Sequence, residues 1–315
     1  MGLIIASQLE EGFNEGLRAH AVSPTVIDVP EDQPWSVAND ADVLLVRPSP
    51  SWRGNRKAAR PAAWPGRLKW VYSASAGIDF YPPWLLDAPL VTCGRGVASE
   101  EIADYVMAAI YLRAKDLEGV RVYEPSQWAS VPLGRFAGTT VGIVGFGAIG
   151  TAVARRALAS GAKVIAARRR ALPSEIDGVE LLSDLGELFA RADHIVLALP
   201  GTTDSELLID ATILARARPT AHLINVGRGS VLDHQALVTV LDQGWLDFAT
   251  LDVTEPEPLP AGHALWRHPK VRLTPHVSSN HSRVRDALFD KVAANLDRFV
   301  RGEVPNDLVD RVAGY

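Results

Sequence analysis

One cysteine, Cys93, two methionines and no apolar run of bilayer length are what this 315-residue chain offers where many proteins offer more. A single thiol excludes an intramolecular disulfide and any thiolate-rich metal site, so no metal is expected, and it suits a reducing cytoplasm. No segment reaches the roughly 18 apolar residues that span a bilayer. The opening MGLIIASQLEEGF carries a short apolar run with no basic residue before it, and reads as a first strand rather than a signal peptide. Positive charge is not in excess either. A formal net charge of -5 gives no global attraction to nucleic acid or to an anionic membrane. Internal repeats, low-complexity tracts and long linkers are also missing from the sequence.

What is present is the composition of a globular protein, 47% hydrophobic and 22% charged, at a length that suits two domains. The first hundred residues alternate strand-length runs (LIIAS, VIDVP, VLLVRP, LKWVYSAS, LVTCG) with loops rich in Pro, Trp and Gly, which predicts a small parallel α/β unit. Ser99 is placed to cap a helix carrying Glu100 and Glu101 in its first turn and Ile102, Val106, Ala109 and Ile110 on one face. A second alternation follows: TTVGIVGFG, AKVIAA, HIVLALP, AHLINVG, FATLDV and VRLTP. Such continuous apolar runs predict strands covered on both faces, and hence a doubly wound parallel sheet. The stretch from Ser282 to Gly302 has helical periodicity, and in a two-domain α/β protein it is placed to return to the first domain.

The first chemically specific feature lies between a strand and a helix. VGIVG runs into Gly145, Phe146, Gly147, Ala148, Ile149 and Gly150, and then into TAVARRALASG. In that setting the three glycines serve a tight turn, a close approach of backbone to a pyrophosphate, and close packing of helix on strand. The phosphates would meet unpaired N–H groups at the positive end of the helix. The next strand ends in VIAARRR. Arg168 stands 168 - 150 = 18 residues past the last glycine, where NAD-binding folds usually place a carboxylate, and no Asp or Glu lies between Ala162 and Ala171. An arginine there suits the 2′-phosphate of NADP(H), with Arg169 assisting and Arg170 solvated. NADP(H) is therefore the expected cofactor, and NAD(H) the other possibility.

Three further stretches put a functional side chain just past a strand end: NVGRG with Arg228, LDVTEPEPLP with Asp252 and Glu257, and TPHVSS with His276. Taken singly, a loop arginine is usually solvated, a lone histidine structural and an EPEP run an acidic turn. Together they would converge beside a dinucleotide at the carboxyl edge of the sheet. Their order, with SAGID at 75 to 79, VGIVGFGAIG at 141 to 150, LPGTTDSELLI at 199 to 209 and INVGRGSVLD at 224 to 233, resembles the D-isomer-specific 2-hydroxyacid dehydrogenase family over nearly the whole chain. That resemblance implies a discontinuous flavodoxin-like substrate domain (1–98 plus 282–315) around a central Rossmann-type dinucleotide domain (99–281). It implies Arg228, Glu257 and His276 as catalytic residues. Ala76 and Gly77 would meet the substrate carboxylate through their backbone, Leu199, Pro200, Thr202 and Val226 would line the cofactor cleft, and Asp252 would contact its nicotinamide side. It also implies a homodimer held by the region from the helix after Ser99 to the Trp128 loop.

The chemistry of reducing a 2-keto acid suits these residue types. Arg228 can hold the carboxylate in a planar fork, His276 can supply the proton, and Glu257 can stabilise the imidazolium. Arg168 in place of the usual acid, and Ser75 in place of a common glycine, are departures; the former resembles the glyoxylate and hydroxypyruvate reductase branch, whose members commonly use NADPH. The length leaves no room for the regulatory extension of many phosphoglycerate dehydrogenases. Trp52 and Trp128 suit either pocket walls or surface and interface packing. A dinucleotide-sensing corepressor-like scaffold, or a same-fold enzyme acting on a phosphorylated hydroxy acid or phosphite, are the competing readings.

Overall fold

Strands buried on both faces need continuous apolar runs, and the runs named above become strands in the computed structural model, which describes residues 2–30, 35, 38–169, 173–279 and 282–315. The chain divides into two compact units, Met1–Val97 with His281–Tyr315, and Ala98–Asn280.

In the first unit β1 (Ile4–Ser7), β2 (Thr25–Asp28), β3 (Val43–Val46), β4 (Trp70–Ser73) and β5 (Leu90–Cys93) form one sheet in the order β2-β1-β3-β4-β5, all parallel. This is the flavodoxin-like order. The central strands β3 and β4 are buried at every position. One face is covered by the helices Glu11–Arg18 and Ser282–Val300, whose Phe13, Leu17, Leu288, Val292 and Leu296 pack with Trp70 and Tyr72. The spacing of Leu288, Val292 and Leu296 keeps them on one stripe of their helix. Trp52 is 0% exposed in the core of the other face, ringed by Trp35, Tyr81 and Trp84, and its indole N–H donates to Gln8 Oε1 at 2.7 Å. The pocket-wall expectation for Trp52 is thereby corrected: an indole with a satisfied N–H inside an aromatic cluster is core.

The second unit is a parallel sheet of β6 (Thr140–Val144), β7 (Lys163–Ala167), β8 (Val179–Leu181), β9 (His194–Leu197), β10 (His222–Asn225), β11 (Phe248–Leu251) and β12 (Val271–Leu273), ordered β12-β11-β10-β9-β6-β7-β8. Strand order reverses at β6, which pairs with β7 on one side and β9 on the other. That reversal opens a crevice at the carboxyl edge. Ser99 does not cap its helix. Ala98 holds the cap position without a side-chain bond, and Ser99 is the first residue of the helix Ser99–Lys115 and is buried. Arg156 instead ties that helix to Ala148–Ala159, reaching Glu100 and Asp104 at 2.7 Å each. Among the described residues no helix is long and apolar enough to cross a membrane.

The opposite, amino edge of this sheet carries an aromatic row in which Phe136, His194 and His222 are buried. His194, His222 and Phe248 are register partners on β9, β10 and β11, and the rings of Phe136, His194, His222 and Phe248 meet in sequence, tilted or edge to face, with centroids 5.6 to 6.0 Å apart. Burial pushes His194 down from 6.5 to about 4 and His222 well below 6.5. The unfolded chain then takes up protons that the folded one refuses, so stability present above pH 6.5 is lost as pH falls toward 4. His194 alone accounts for up to about 3 kcal/mol of that loss. Urea titrations at both ends of the window test this: His194→Leu should flatten the pH dependence, and a slope equal to that of the wild type would contradict it.

Candidate active site

The carboxyl edge of the second sheet begins with the glycine loop. Gly145 has φ +97°, and a Cβ there would lie 2.6 Å from the Ala198 carbonyl oxygen, so only glycine turns the chain off β6 at this point. Gly147 caps the helix Ala148–Ala159 without a side-chain bond, and a Cβ on it would meet nothing within 4 Å. No side chain at the cap position takes up the N–H groups of the first helical turn, the arrangement that receives an anion. A Cβ on Gly150 would come within 2.6 Å of the Gly145 carbonyl oxygen and 3.0 Å of Ile143, so the third glycine lets helix and strand touch. Phe146 packs its ring into the core, and Ala148 and Ile149 open the helix. These features fit a dinucleotide pyrophosphate.

Arg168 and Arg169 follow β7, the strand beside the glycine loop. The half-buried Arg168 donates to the Pro173 carbonyl at 2.6 Å, and the exposed Arg169 reaches Asp204 at 3.3 Å. Arg170 lies outside the described residues. No carboxylate occupies the end of β7 itself. On the other flank of the loop, after β9, the chain through Leu199 and Pro200 is fixed by Ser205, whose hydroxyl donates to the Pro200 carbonyl at 2.6 Å and accepts from Thr202 N–H at 2.9 Å.

Arg228 follows β10. Asn225, fully buried, accepts from Gly227 N–H at 3.1 Å and donates to the Arg228 carbonyl at 2.9 Å, so one amide side chain shapes the turn that presents the arginine. Arg228 itself donates to the Gly227 carbonyl at 2.9 Å. Val226 is buried in the core beneath. A Cβ on Gly229 would sit 1.9 Å from the Thr254 carbonyl carbon, so glycine is what lets the Arg228 turn lie against the loop that carries Glu257.

Glu257 and His276 meet directly: the imidazole Nδ1 is 3.0 Å from Oε2 and 3.2 Å from Oε1. Thr254 N–H holds the same carboxylate at 3.3 Å. His276 has φ +54°, a left-handed conformation costly for a residue with a Cβ. Asp252 is 1% exposed and turned into this loop, accepting from Thr274 Oγ1, Val277 N–H and Ser278 N–H. In the other unit, Ala76 and Gly77 follow β4, and Gly77 N–H donates to Ser75 Oγ at 3.1 Å.

The structure thus brings Glu257 and His276 into contact, sets the Arg228 turn against their loop, and lines the glycine loop with Arg168 on one flank and Leu199 to Thr202 on the other. Sequence reading misses Asn225, which sits at a strand end inside INVGRG with no chemistry of its own, and Tyr105, which nothing in the sequence marks.

Residues 107–278 match the family described as D-isomer specific 2-hydroxyacid dehydrogenase, NAD binding domain. The chain is 32% identical over 297 residues to glyoxylate/hydroxypyruvate reductase A of Serratia proteamaculans, covering 89% of this chain and 90% of that protein. Among solved structures, a D-isomer specific 2-hydroxyacid dehydrogenase from Xanthobacter autotrophicus in complex with NADPH and MES superposes with TM-score 0.82 at 27% identity, covering 100% of this chain and 99% of that one. An NADPH-dependent glyoxylate/hydroxypyruvate reductase from Sinorhizobium meliloti, in complex with NADP and sulfate, does so with TM-score 0.79 at 28% identity, covering all of both chains.

Proposed function

Because the chain belongs to the D-isomer-specific 2-hydroxyacid dehydrogenase family and is an NAD(P)-dependent oxidoreductase of that kind, we propose that it reduces a small 2-keto acid, glyoxylate or hydroxypyruvate, with NADPH as the preferred cofactor. The observation that carries this reading is the Glu257–His276 contact at the edge of the sheet that holds the glycine loop.

The unit Ala98–Asn280 takes the dinucleotide-binding role and the other unit the substrate-binding role. The glycine loop receives the pyrophosphate, Leu199, Pro200 and Thr202 flank it, and Val226 supports the site from the core beneath. Bound NADPH supplies the hydride. Arg228 grips the substrate carboxylate through paired N–H groups and draws electron density from the neighbouring carbonyl. With Nδ1 turned to Glu257, His276 delivers its proton from Nε2 to the developing alkoxide, and the Glu257 carboxylate stabilises the imidazolium that holds the proton beforehand. Exposed apolar side chains along 117–133, with Trp128 at 83% exposure, support a homodimer in which a second copy covers them; a monomer at micromolar concentration by light scattering would remove that assignment.

Steady-state kinetics with glyoxylate, hydroxypyruvate, pyruvate and phenylpyruvate, each with NADH and NADPH, test the substrate class, and turnover of none of them would sink it. Arg168→Asp tests the cofactor reading. A carboxylate repels the 2′-phosphate and hydrogen-bonds a 2′-hydroxyl, so the ratio of kcat/KM for NADPH over NADH should fall about 100-fold. A wild type that already prefers NADH would contradict the role given to Arg168.

A further inference from the structure

The loop that presents His276 is held from beneath by a hydrogen-bonded chain that starts on a helix distant in sequence. Tyr105, half-buried in the second turn of Ser99–Lys115, places its hydroxyl 2.6 Å from Thr274 Oγ1, and Thr274 donates to Asp252 Oδ1 at 2.6 Å. A threonine hydroxyl has one proton, so with that proton committed to Asp252 the tyrosine is the donor to Thr274. Burial raises the pKa of Tyr105 above its ordinary value, so the hydroxyl retains its proton at neutral pH. Asp252 then fixes three consecutive residues: its backbone carbonyl accepts from His276 N–H at 2.9 Å, Oδ1 from Val277 N–H at 2.9 Å and Oδ2 from Ser278 N–H at 2.9 Å. A left-handed histidine persists only where its surroundings over-determine it, and these bonds are what does so here.

We infer that Tyr105 and Thr274 are positioning residues for His276, acting through Asp252 to hold the imidazole where it transfers its proton. The inference rests on the proton-donor role proposed for His276. A small displacement of a reacting group costs rate out of proportion to its effect on binding, so the expected signature is in turnover rather than in affinity.

Tyr105→Phe should lower kcat for glyoxylate reduction about 10-fold while leaving the Kd for NADPH and the thermal midpoint at their wild-type values. The solvent deuterium isotope effect on kcat should rise, because proton transfer becomes more rate-limiting. Thr274→Val should follow Tyr105→Phe, and Thr274→Ser, which keeps the hydroxyl, should restore both readouts. Tyr111→Phe, on the same helix with its ring against Phe136, serves as the control and should change neither. Amide exchange at Val277 and Ser278 reads the same loop without any turnover, and should accelerate in Tyr105→Phe. Wild-type kcat and isotope effect in Tyr105→Phe, or parallel loss of kcat, Kd and thermal midpoint, would overturn the positioning role while leaving the proposed reductase standing. Unchanged exchange would overturn it whatever the wild type turns over. A wild type inactive on every 2-keto acid would instead strike the proposed function.

Discussion

His276→Ala is expected to lower kcat for glyoxylate reduction by about 10² to 10⁴-fold, the range a positioned proton donor supplies, and to leave the Kd for NADPH nearly unchanged. The separation follows from where the residue sits. His276 lies after β12 in a loop bonded to Asp252, whereas the glycine loop follows β6, and three strands, β9, β10 and β11, separate the two in the sheet order. Removing the imidazole takes away the proton and leaves the helix N-terminus and Arg168 intact. Glu257→Gln should give a smaller loss of the same kind, because Nδ1 retains a hydrogen-bond partner but the imidazolium loses its counter-charge. Fluorescence titration with NADPH beside initial rates distinguishes the outcomes. A variant that retains its kcat would require a different proton donor.

Arg228→Ala should raise KM for the 2-keto acid and lower kcat together, with a combined loss in kcat/KM of about 10³-fold or more. An arginine that only bound the carboxylate would change KM alone; one that also polarises the adjacent carbonyl contributes more in the transition state than in the ground state. Arg228→Lys is informative because it keeps the charge and loses the planar pair of donors, so it should recover only part of the loss. The Asn225 clamp makes the backbone of the turn independent of the arginine side chain, since its bonds go to Gly227 N–H and the Arg228 carbonyl. The variants should therefore keep wild-type stability, and an unchanged KM would count against the carboxylate role.

The strand runs were legible because a parallel sheet buried on both faces writes itself as uninterrupted apolar residues; β3, β4, β9 and β10 are buried at every position. The edge strand β8 was not, since VEL is three residues long and half-exposed, too little for any periodicity. The glycine loop was legible at its first and third glycines, because a tight turn at Gly145 and a close helix–strand contact at Gly150 each exclude side chains. Trp52 shows the limit of residue type as a guide. A tryptophan serves equally in a pocket and in a core, and only its three aromatic neighbours and its bond to Gln8 decide. Contacts across long stretches of sequence were out of reach for the same reason. Tyr105 and Thr274 are 169 residues apart, and neither the helix pattern of the first nor the TPH stretch of the second points to the other. Nor does anything in TPHVSS announce that His276 takes a left-handed backbone. That conformation is imposed by the bonds to Asp252, not by local preference.

The stereochemistry of the product is the most telling readout of the proposed chemistry. With hydroxypyruvate and NADPH, followed by chiral separation of the product, the wild type should form D-glycerate in an NADPH-dependent way and His276→Ala almost none. Formation of the L-isomer, equal product from the variant, or no product from the wild type would contradict that chemistry.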